Sequence, residues 1–260
     1  MENLKLNIPW PAKPLHVRRA GAFLVLPLLA GPLSAASPVD LGAATSFGVL
    51  AATAITNTGF TAVTGDIGTT SGTDITGIGT LILTGVNHDG DAVTQNAHAS
   101  LLTAYNYAAG LPVDFTYPAV SDLGGLTLEP GVYTDATSFA VTGILTLDAM
   151  GDPDAVWVFQ MGTTLTTSTG SSILLTNGAD SSNIFWQVGS SATLGPASAF
   201  SGSILAFQSI TLNTGAQIDG RALAYNGAVT MIANVVTVPE TGSSLLGGLA
   251  LLGMVCRRRR

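Results

Sequence analysis

The sequence predicts a mainly β fold, a β-solenoid with one long α-helix packed along its side, and three observations predict it. First, a strand register recurs. Val156-Trp157-Val158-Phe159-Gln160 is echoed by Ile184-Phe185-Trp186-Gln187, Ile204-Leu205-Ala206-Phe207-Gln208 and Ala222-Leu223-Ala224-Tyr225-Asn226, at intervals of 28, 20 and 18 residues. Second, each echo is followed by another strand-like piece: Thr163-Thr164-Leu165-Thr166, Ala192-Thr193-Leu194, Ile210-Thr211-Leu212-Asn213 and Val229-Thr230-Met231. Third, the two sets differ in pattern. The first is apolar on consecutive residues, so both of its faces are covered; the second alternates, with Thr outward. Short strands rich in Val, Ile, Thr and aromatics, joined by Gly-rich corners at near-regular spacing, read as successive coils.

Residues 1–36 read as an export signal. Lys13, Arg18 and Arg19 precede an apolar run over 20–33, and Ser34-Ala35-Ala36 supplies small residues for cleavage. Residues 37–237 form the solenoid domain. Within it, residues 91–109 are the one convincing helix. Asp91 caps it, Gly110 and Pro112 end it, and Val93, Ala97, Leu101, Tyr105 and Ala108 form one stripe. Eighteen helical residues reach ~27 Å, enough to cross five or six strands spaced ~4.8 Å apart. The helix therefore belongs on the outside of the doubly apolar strands at 156–160, 184–188, 204–208 and 222–226.

Residues 238–260 read as a sorting tail. Val238-Pro239-Glu240-Thr241-Gly242 precedes a twelve-residue apolar run over 245–256, and four arginines follow. Twelve helical residues reach ~18 Å, short for a ~30 Å hydrocarbon core, so the tail touches the membrane only transiently. It resembles the PEP-CTERM class of sorting signals, with Val-Pro-Glu-Thr-Gly in place of Val-Pro-Glu-Pro. That resemblance implies a membrane-embedded exosortase as processing partner and a secreted or cell-surface product. An LPxTG-type sortase motif with Val for Leu is the weaker reading of the same five residues. The single cysteine, Cys256, lies in this tail, so the processed chain has no disulfide and no thiolate metal site.

Composition excludes several functions. Only 10% of residues are charged, against roughly 25% in an average soluble protein. Between residues 37 and 237 a single base, Arg221, faces fourteen acids. No basic patch forms to neutralise phosphates, which removes nucleic acid as a partner and disfavours an anionic membrane surface. The two histidines of this stretch, His88 and His98, have no clustered partner for nucleophilic or metal chemistry. Asp148, Asp152 and Asp154 offer the oxygens a calcium ion takes, but Asp, Gly and Pro at a corner are first of all turn formers. Asp89 and Asp91 read as helix-capping groups. A solenoid lyase or glycosidase needs paired carboxylates, usually with Arg or Lys, on an exposed face, and one arginine leaves little for such a site. The sequence supports neither an enzyme nor a cofactor or metal site.

What stands out instead is threonine. Thr53, Thr56, Thr58, Thr61 and Thr64 fall in three Thr-x-x-Thr segments, 53–56, 58–61 and 61–64, that lie almost end to end, and Thr164, Thr193, Thr211 and Thr230 occupy equivalent places in the later coils. Routine cross-strand pairing of β-branched residues explains a Thr column at a few tenths to ~1 kcal/mol per pair. A flat uncharged face of methyls and hydroxyls is nevertheless unusual for a soluble surface.

The chain also resembles the microbial ice-binding protein-like family. The resemblance is carried by Leu41-Gly42 with Ser46-Phe47-Gly48-Val49-Leu50-Ala51, by Ile55-Thr56-Asn57-Thr58-Gly59 and by Thr64-Gly65-Asp66-Ile67-Gly68. Asp122-Leu123-Gly124-Gly125, Pro130-Gly131-Val132-Tyr133, Trp186-Gln187-Val188-Gly189 and Gly220-Arg221-Ala222-Leu223-Ala224 continue it. It implies a discontinuous, right-handed, three-sided β-solenoid, secretion, and adsorption to an ice surface that inhibits ice growth and recrystallisation. It also implies Thr-rich motifs on the ice-binding face, a pattern the 53–64 segments match. That segment is the first choice for the face and the Thr164, Thr193, Thr211 and Thr230 column the second. The alternative is a surface adhesin or extracellular-matrix protein that uses the same solenoid as a spacer or glycan-binding wall.

Overall fold

The computed structural model describes residues 38–239 apart from Thr73. The export signal and the sorting residues Glu240, Thr241 and Gly242 lie outside the described residues. The strands pair in parallel and fall into three ladders. One, the helix-side ladder, runs from Asn87–Asp89 through Asp66–Thr69, Phe47–Ala51, residues 221–224 and residues 203–206. It continues through Ile184–Val188, Trp157–Met161 and Gly131–Asp135 to Phe115–Tyr117. A second, the threonine ladder, runs from Ile75–Thr76 through Ile55–Thr58, Val229–Ile232, Ile210–Leu212 and Ala192–Leu194. Leu165–Thr167, Phe139–Val141 and Ser121–Asp122 complete it. The third joins Leu81–Leu83, Thr61–Thr64, Val235–Thr237, residues 217–219 and 199–201, Ser172–Thr176, Ile144–Asp148 and Thr127–Leu128.

The stack is continuous in space and interrupted in sequence. The first coils sit at one end, helix α1 (Ala92–Ala109) carries the chain away, and the later coils return until Val235–Thr237 pairs with Thr61–Thr64. Strands Ala199–Ala206 and Gln217–Ala224 pass from the third ladder to the helix-side ladder at Gly202 and Gly220. Both glycines have positive φ, and a Cβ on Gly220 would lie 2.0 Å from the Gly202 carbonyl oxygen. Only glycine fits two corners stacked this closely.

The two strand patterns have the burial expected of them. Phe47–Ala51, Trp157–Met161 and Ile184–Val188 are buried at every position, whereas Ala192–Leu194 and Ile210–Leu212 alternate. The register differs from the sequence reading. Ile184 pairs with Trp157 rather than Val156, and Ile204 with Trp186 rather than Ile184, while Ala222 does pair with Ile204. In strands apolar on both faces, the start of the apolar run does not reveal which residue points inward.

Inward positions of the helix-side ladder stack Phe115, Tyr133, Phe159, Trp186, Ile204, Ala222 and Val49 in register. The Phe159 and Trp186 rings lie parallel at 3.8 Å. Outward positions Val132, Val158, Phe185, Leu205, Leu223 and Leu50, from six successive strands, bury against Ala97, Leu101, Ala104 and Ala108 of α1. The helix thus spans the strands its length allows. The stripe is rotated from the expected one: Thr94 and Ala104 face inward, Val93 is exposed and Tyr105 half-buried. Local anchoring sets this rotation. The Asp91 carboxylate accepts from Thr94 N at 2.9 Å and the Thr94 hydroxyl donates to the His88 carbonyl. At the other end Gln160 Nε2 donates to the carbonyls of Ala108 (2.8 Å) and Leu111 (3.0 Å), and Gln187 Nε2 donates to the Tyr105 hydroxyl (2.8 Å). Asp91→Ala removes the cap and is expected to cost about 1 kcal/mol; urea denaturation reads this, and an unchanged midpoint would contradict the anchoring role.

Candidate functional site

Strand alternation sends every second residue of the threonine ladder outward, and one such position recurs in every coil. In register these are Thr76, Thr56, Thr230, Thr211, Thr193 and Thr166, followed by Ala140 and Asp122. Six threonines from six neighbouring coils form one column at ~4.7–4.9 Å spacing. Each follows an apolar residue turned into the core: Ile75, Ile55, Val229, Ile210, Ala192 and Leu165. Two residues before the column positions runs a second row: Asp74, exposed, beside Thr76, then the small half-buried side chains Ala54, Ala228, Ser209, Ser191, Thr164 and Ser138. Ladder hydrogen bonds link this row from coil to coil: Val229 N donates to Ala54 O, Ile210 N to Ala228 O and Ala192 N to Ser209 O. Ser138 Oγ and Thr164 Oγ1 lie 2.9 Å apart in a hydroxyl–hydroxyl bond. From the Thr56 coil to the Ala140 coil neither row carries a charge; Asp74 and Asp122 stand at the two ends.

Of the residues singled out in the sequence, Thr56, Thr193, Thr211 and Thr230 therefore share one column. Thr164 does not. It lies in the second row, and Thr166 holds the column position beside Thr193. The 53–64 segment does not form one face. It turns a corner at Gly59, whose φ is +78°. Thr53 is exposed at the preceding corner, and Thr56 and Thr58 face out of the threonine ladder. Thr64 faces out of the third ladder in line with Thr237 and Asp219. Thr61 points into the interior at 0% exposure, and its hydroxyl accepts from Asn234 N at 3.1 Å. A strand repeats every two residues, so a Thr-x-x-Thr spacing puts its two threonines on opposite faces or across a corner. Sequence reasoning missed Thr76 and Thr166; the shared signal was an inward apolar residue followed by Thr.

The other two outer surfaces differ. Helix α1 covers the helix-side ladder. The third ladder exposes Ile82, Val235, Ile144 and Leu174 and carries Asp219 among its outward residues. The remaining candidates are held locally. Asp148 Oδ1 accepts from Met150 N and Asn177 Nδ2, both at 2.8 Å, and Asp152 Oδ1 accepts from Asp154 N at 2.9 Å, the geometry of turn formation. Among the described residues no group of three His, Cys, Asp or Glu side chains is placed to hold a metal ion. His88 is not without partners: Nδ1 lies 2.7 Å from the Asp91 carboxylate and Nε2 3.8 Å from that of Asp66. Asp89 accepts from the Thr69 hydroxyl rather than capping the helix. His98 stacks on Tyr225 and its Nε2 lies 2.6 Å from the Tyr225 carbonyl oxygen.

Hydrogen bonds hold four carboxyls, those of Asp91, Asp122, Asp135 and Asp148, below their ordinary range; at Asp122 burial opposes ionisation, but donors from Thr142 and Gly124 outweigh it. At Asp91 the donor is chiefly Thr94 N, then His88; at Asp148 it is chiefly Asn177; at Asp135 burial opposes ionisation, but donors from Thr137 and Ser121 outweigh it. A carboxyl depressed in the folded state stabilises the fold above its unfolded pKa of ~3.9 and loses that contribution as pH falls through the folded value. The melting temperature is therefore expected to fall on acidification from pH 4 to pH 2. A rise over that window in a thermal scan would contradict these assignments.

The sequence pattern of the family described as Ice-binding-like matches residues 49–237. The chain belongs to this family. The matched segment of the ice-binding-like family starts within strand Phe47–Ala51 and ends with strand Val235–Thr237, so it takes in the ladders almost whole. An ice-binding protein of Nostoc sp. (strain HG1) is 48% identical over 241 residues, covering 86% of this chain and 89% of that protein. One from Colwellia sp. is 35% identical, covering 82% and 89%. Among solved structures, the ice-binding protein of the Antarctic ascomycete Antarctomyces psychrotrophicus superposes with a TM-score of 0.77 at 44% identity. That match covers 79% of this chain and all of that one. An ice-binding protein from an Antarctic biological consortium gives a TM-score of 0.76 at 46% identity, covering 82% and 95%. These relatives are named as ice-binding proteins and not as enzymes. Members of the family with solved structures share the parallel sheets and the single helix described above.

Proposed function

We propose that this protein binds ice, adsorbing through the outer face of the threonine ladder and so inhibiting ice growth and recrystallisation. The observation that carries the reading is the uncharged column Thr76, Thr56, Thr230, Thr211, Thr193 and Thr166, flanked by a second row of Ala, Ser and Thr. Backbone hydrogen bonds fix the coil spacing, and β-branching leaves each Thr few rotamers. Hydroxyls and methyls therefore sit on a near-rigid grid on which the methyls favour caged water and the hydroxyls anchor it. Charges would impose competing hydration, and these rows carry them only at their two ends, at Asp74 and Asp122. Each contact is weak; affinity comes from many groups whose ordering cost was met on folding. The names borne by the relatives support the same reading. Adsorption of the labelled protein to a growing single ice crystal tests it, and exclusion from the ice would refute it.

The winding proposed for the three ladders is the right-handed, three-sided one that the family resemblance implies. For the chain as a whole, we infer export with loss of residues 1–36 and exosortase processing within 238–260. Val238, the first residue of the motif, directly follows the strand Val235–Thr237. Intact mass on protein from its native host decides between processed and full-length chain.

A further inference from the structure

Arg221, the one base between residues 37 and 237, is buried to 2% exposure. It lies on the helix-side ladder, away from the threonine face. Its Nε donates to the Thr45 carbonyl at 2.9 Å and its Nη1 to Ser203 Oγ at 3.3 Å. A guanidinium carries five N–H donors, so three have no acceptor among the described residues. The described residues also place no carboxylate at ion-pairing distance from it. Burial pulls its pKa down to about 10, which still leaves it charged at neutral pH. An uncompensated buried charge is costly. Beside the guanidinium opens a cavity of about 280 Å³ whose walls include Val39, Asp40, Thr45, Asn183 and Phe185.

We propose that this cavity is an anion site in which the free edge of Arg221 forks onto a small oxyanion, either a carboxylate or a tetrahedral group. The planar fork matches both bidentately, and a charge-assisted pair of this kind is strong where water is scarce. Thr45 and Ser203 hold the guanidinium in place so that its remaining donors face the cavity. Asp40, exposed at the mouth with Oδ1 held by Gly42 N at 2.8 Å, opposes an entering anion and sets a limit on affinity.

Titration calorimetry with sodium phosphate, sodium sulfate and sodium acetate at fixed ionic strength tests the site. The expected result is saturable one-to-one binding in the millimolar range or tighter, phosphate and sulfate against acetate reporting which oxyanion shape is preferred. Arg221→Met is expected to weaken it at least tenfold. Asn183→Phe, which keeps the guanidinium and fills the cavity, abolishes it with ice activity unchanged. Asp40→Asn tightens it about threefold. No saturable binding of any of the three anions would overturn the proposal, as would undiminished binding in Asn183→Phe. Asp40→Asn lowering the melting temperature without tightening anion binding would make Asp40 the counter-charge and also overturn it.

Discussion

Thr193→Tyr and Thr211→Tyr each abolish most recrystallisation inhibition while leaving the melting temperature within about 2 °C. Both positions point outward at the middle of the threonine column, between the inward pairs Ala192/Leu194 and Ile210/Leu212. A phenol ring there projects several ångströms beyond its neighbours and holds the whole face off the lattice. It displaces no core atom, and surface substitutions of this kind stay within about 0.5 kcal/mol. Thr61→Tyr behaves oppositely. That position is fully buried and hydrogen-bonded to Asn234 N, so overpacking costs about 1–3 kcal/mol or more and any activity lost reflects unfolding. Splat-cooled ice with each variant, alongside a thermal melt, separates the two. Full inhibition by both Thr193→Tyr and Thr211→Tyr would move the ice-binding face elsewhere.

Trp186→Ala is expected to be the most damaging core substitution. The side chain is fully buried, stacks on Phe159 at 3.8 Å, meets Phe200 at 5.1 Å and donates its indole N–H to the Ser201 carbonyl at 3.1 Å. Truncating a buried Trp costs about 3–5 kcal/mol, which for a domain of this size lowers the melting temperature by roughly 10–20 °C. The position also marks a change in the stack. Phe159 and Trp186 are in-register neighbours 27 residues apart, whereas Trp186, Ile204 and Ala222 follow at 18. A drop of less than about 3 °C in a calorimetric scan would contradict this account of the core.

Much of this fold was legible in the residues themselves. Consecutive burial in Val158-Phe159 and Phe185-Trp186 told of strands covered on both faces, and the length of the 91–109 segment matched the strands it crosses. The exact register was not legible, because coils of different length shift the echo and a doubly apolar strand hides its parity. The third ladder was suggested only by the family resemblance, since pieces such as Ser172–Thr176 and Val235–Thr237 mix apolar and polar residues without a shared signature. At the candidate site, Thr193, Thr211 and Thr230 were legible because inward apolar neighbours frame each one. Thr61 was misjudged for a physical reason: threonine is small and β-branched enough to serve a strand on either face, and only the three-dimensional corner at Gly59 decides which. Thr76 and Thr166 went unnoticed because only the in-register pairs Thr56–Thr76 and Thr166–Thr193 place them in the column.

The central claim is that ice adsorption resides on the threonine ladder, and ice-affinity partition tests it most directly. Residues 37–237 and the Thr193→Tyr/Thr211→Tyr double variant are frozen slowly onto the same cold finger and quantified in ice and liquid. The account predicts that the unsubstituted protein concentrates in the ice while the double variant stays in the liquid with its fold intact. Equal partition of the two into ice, or exclusion of both, would contradict it.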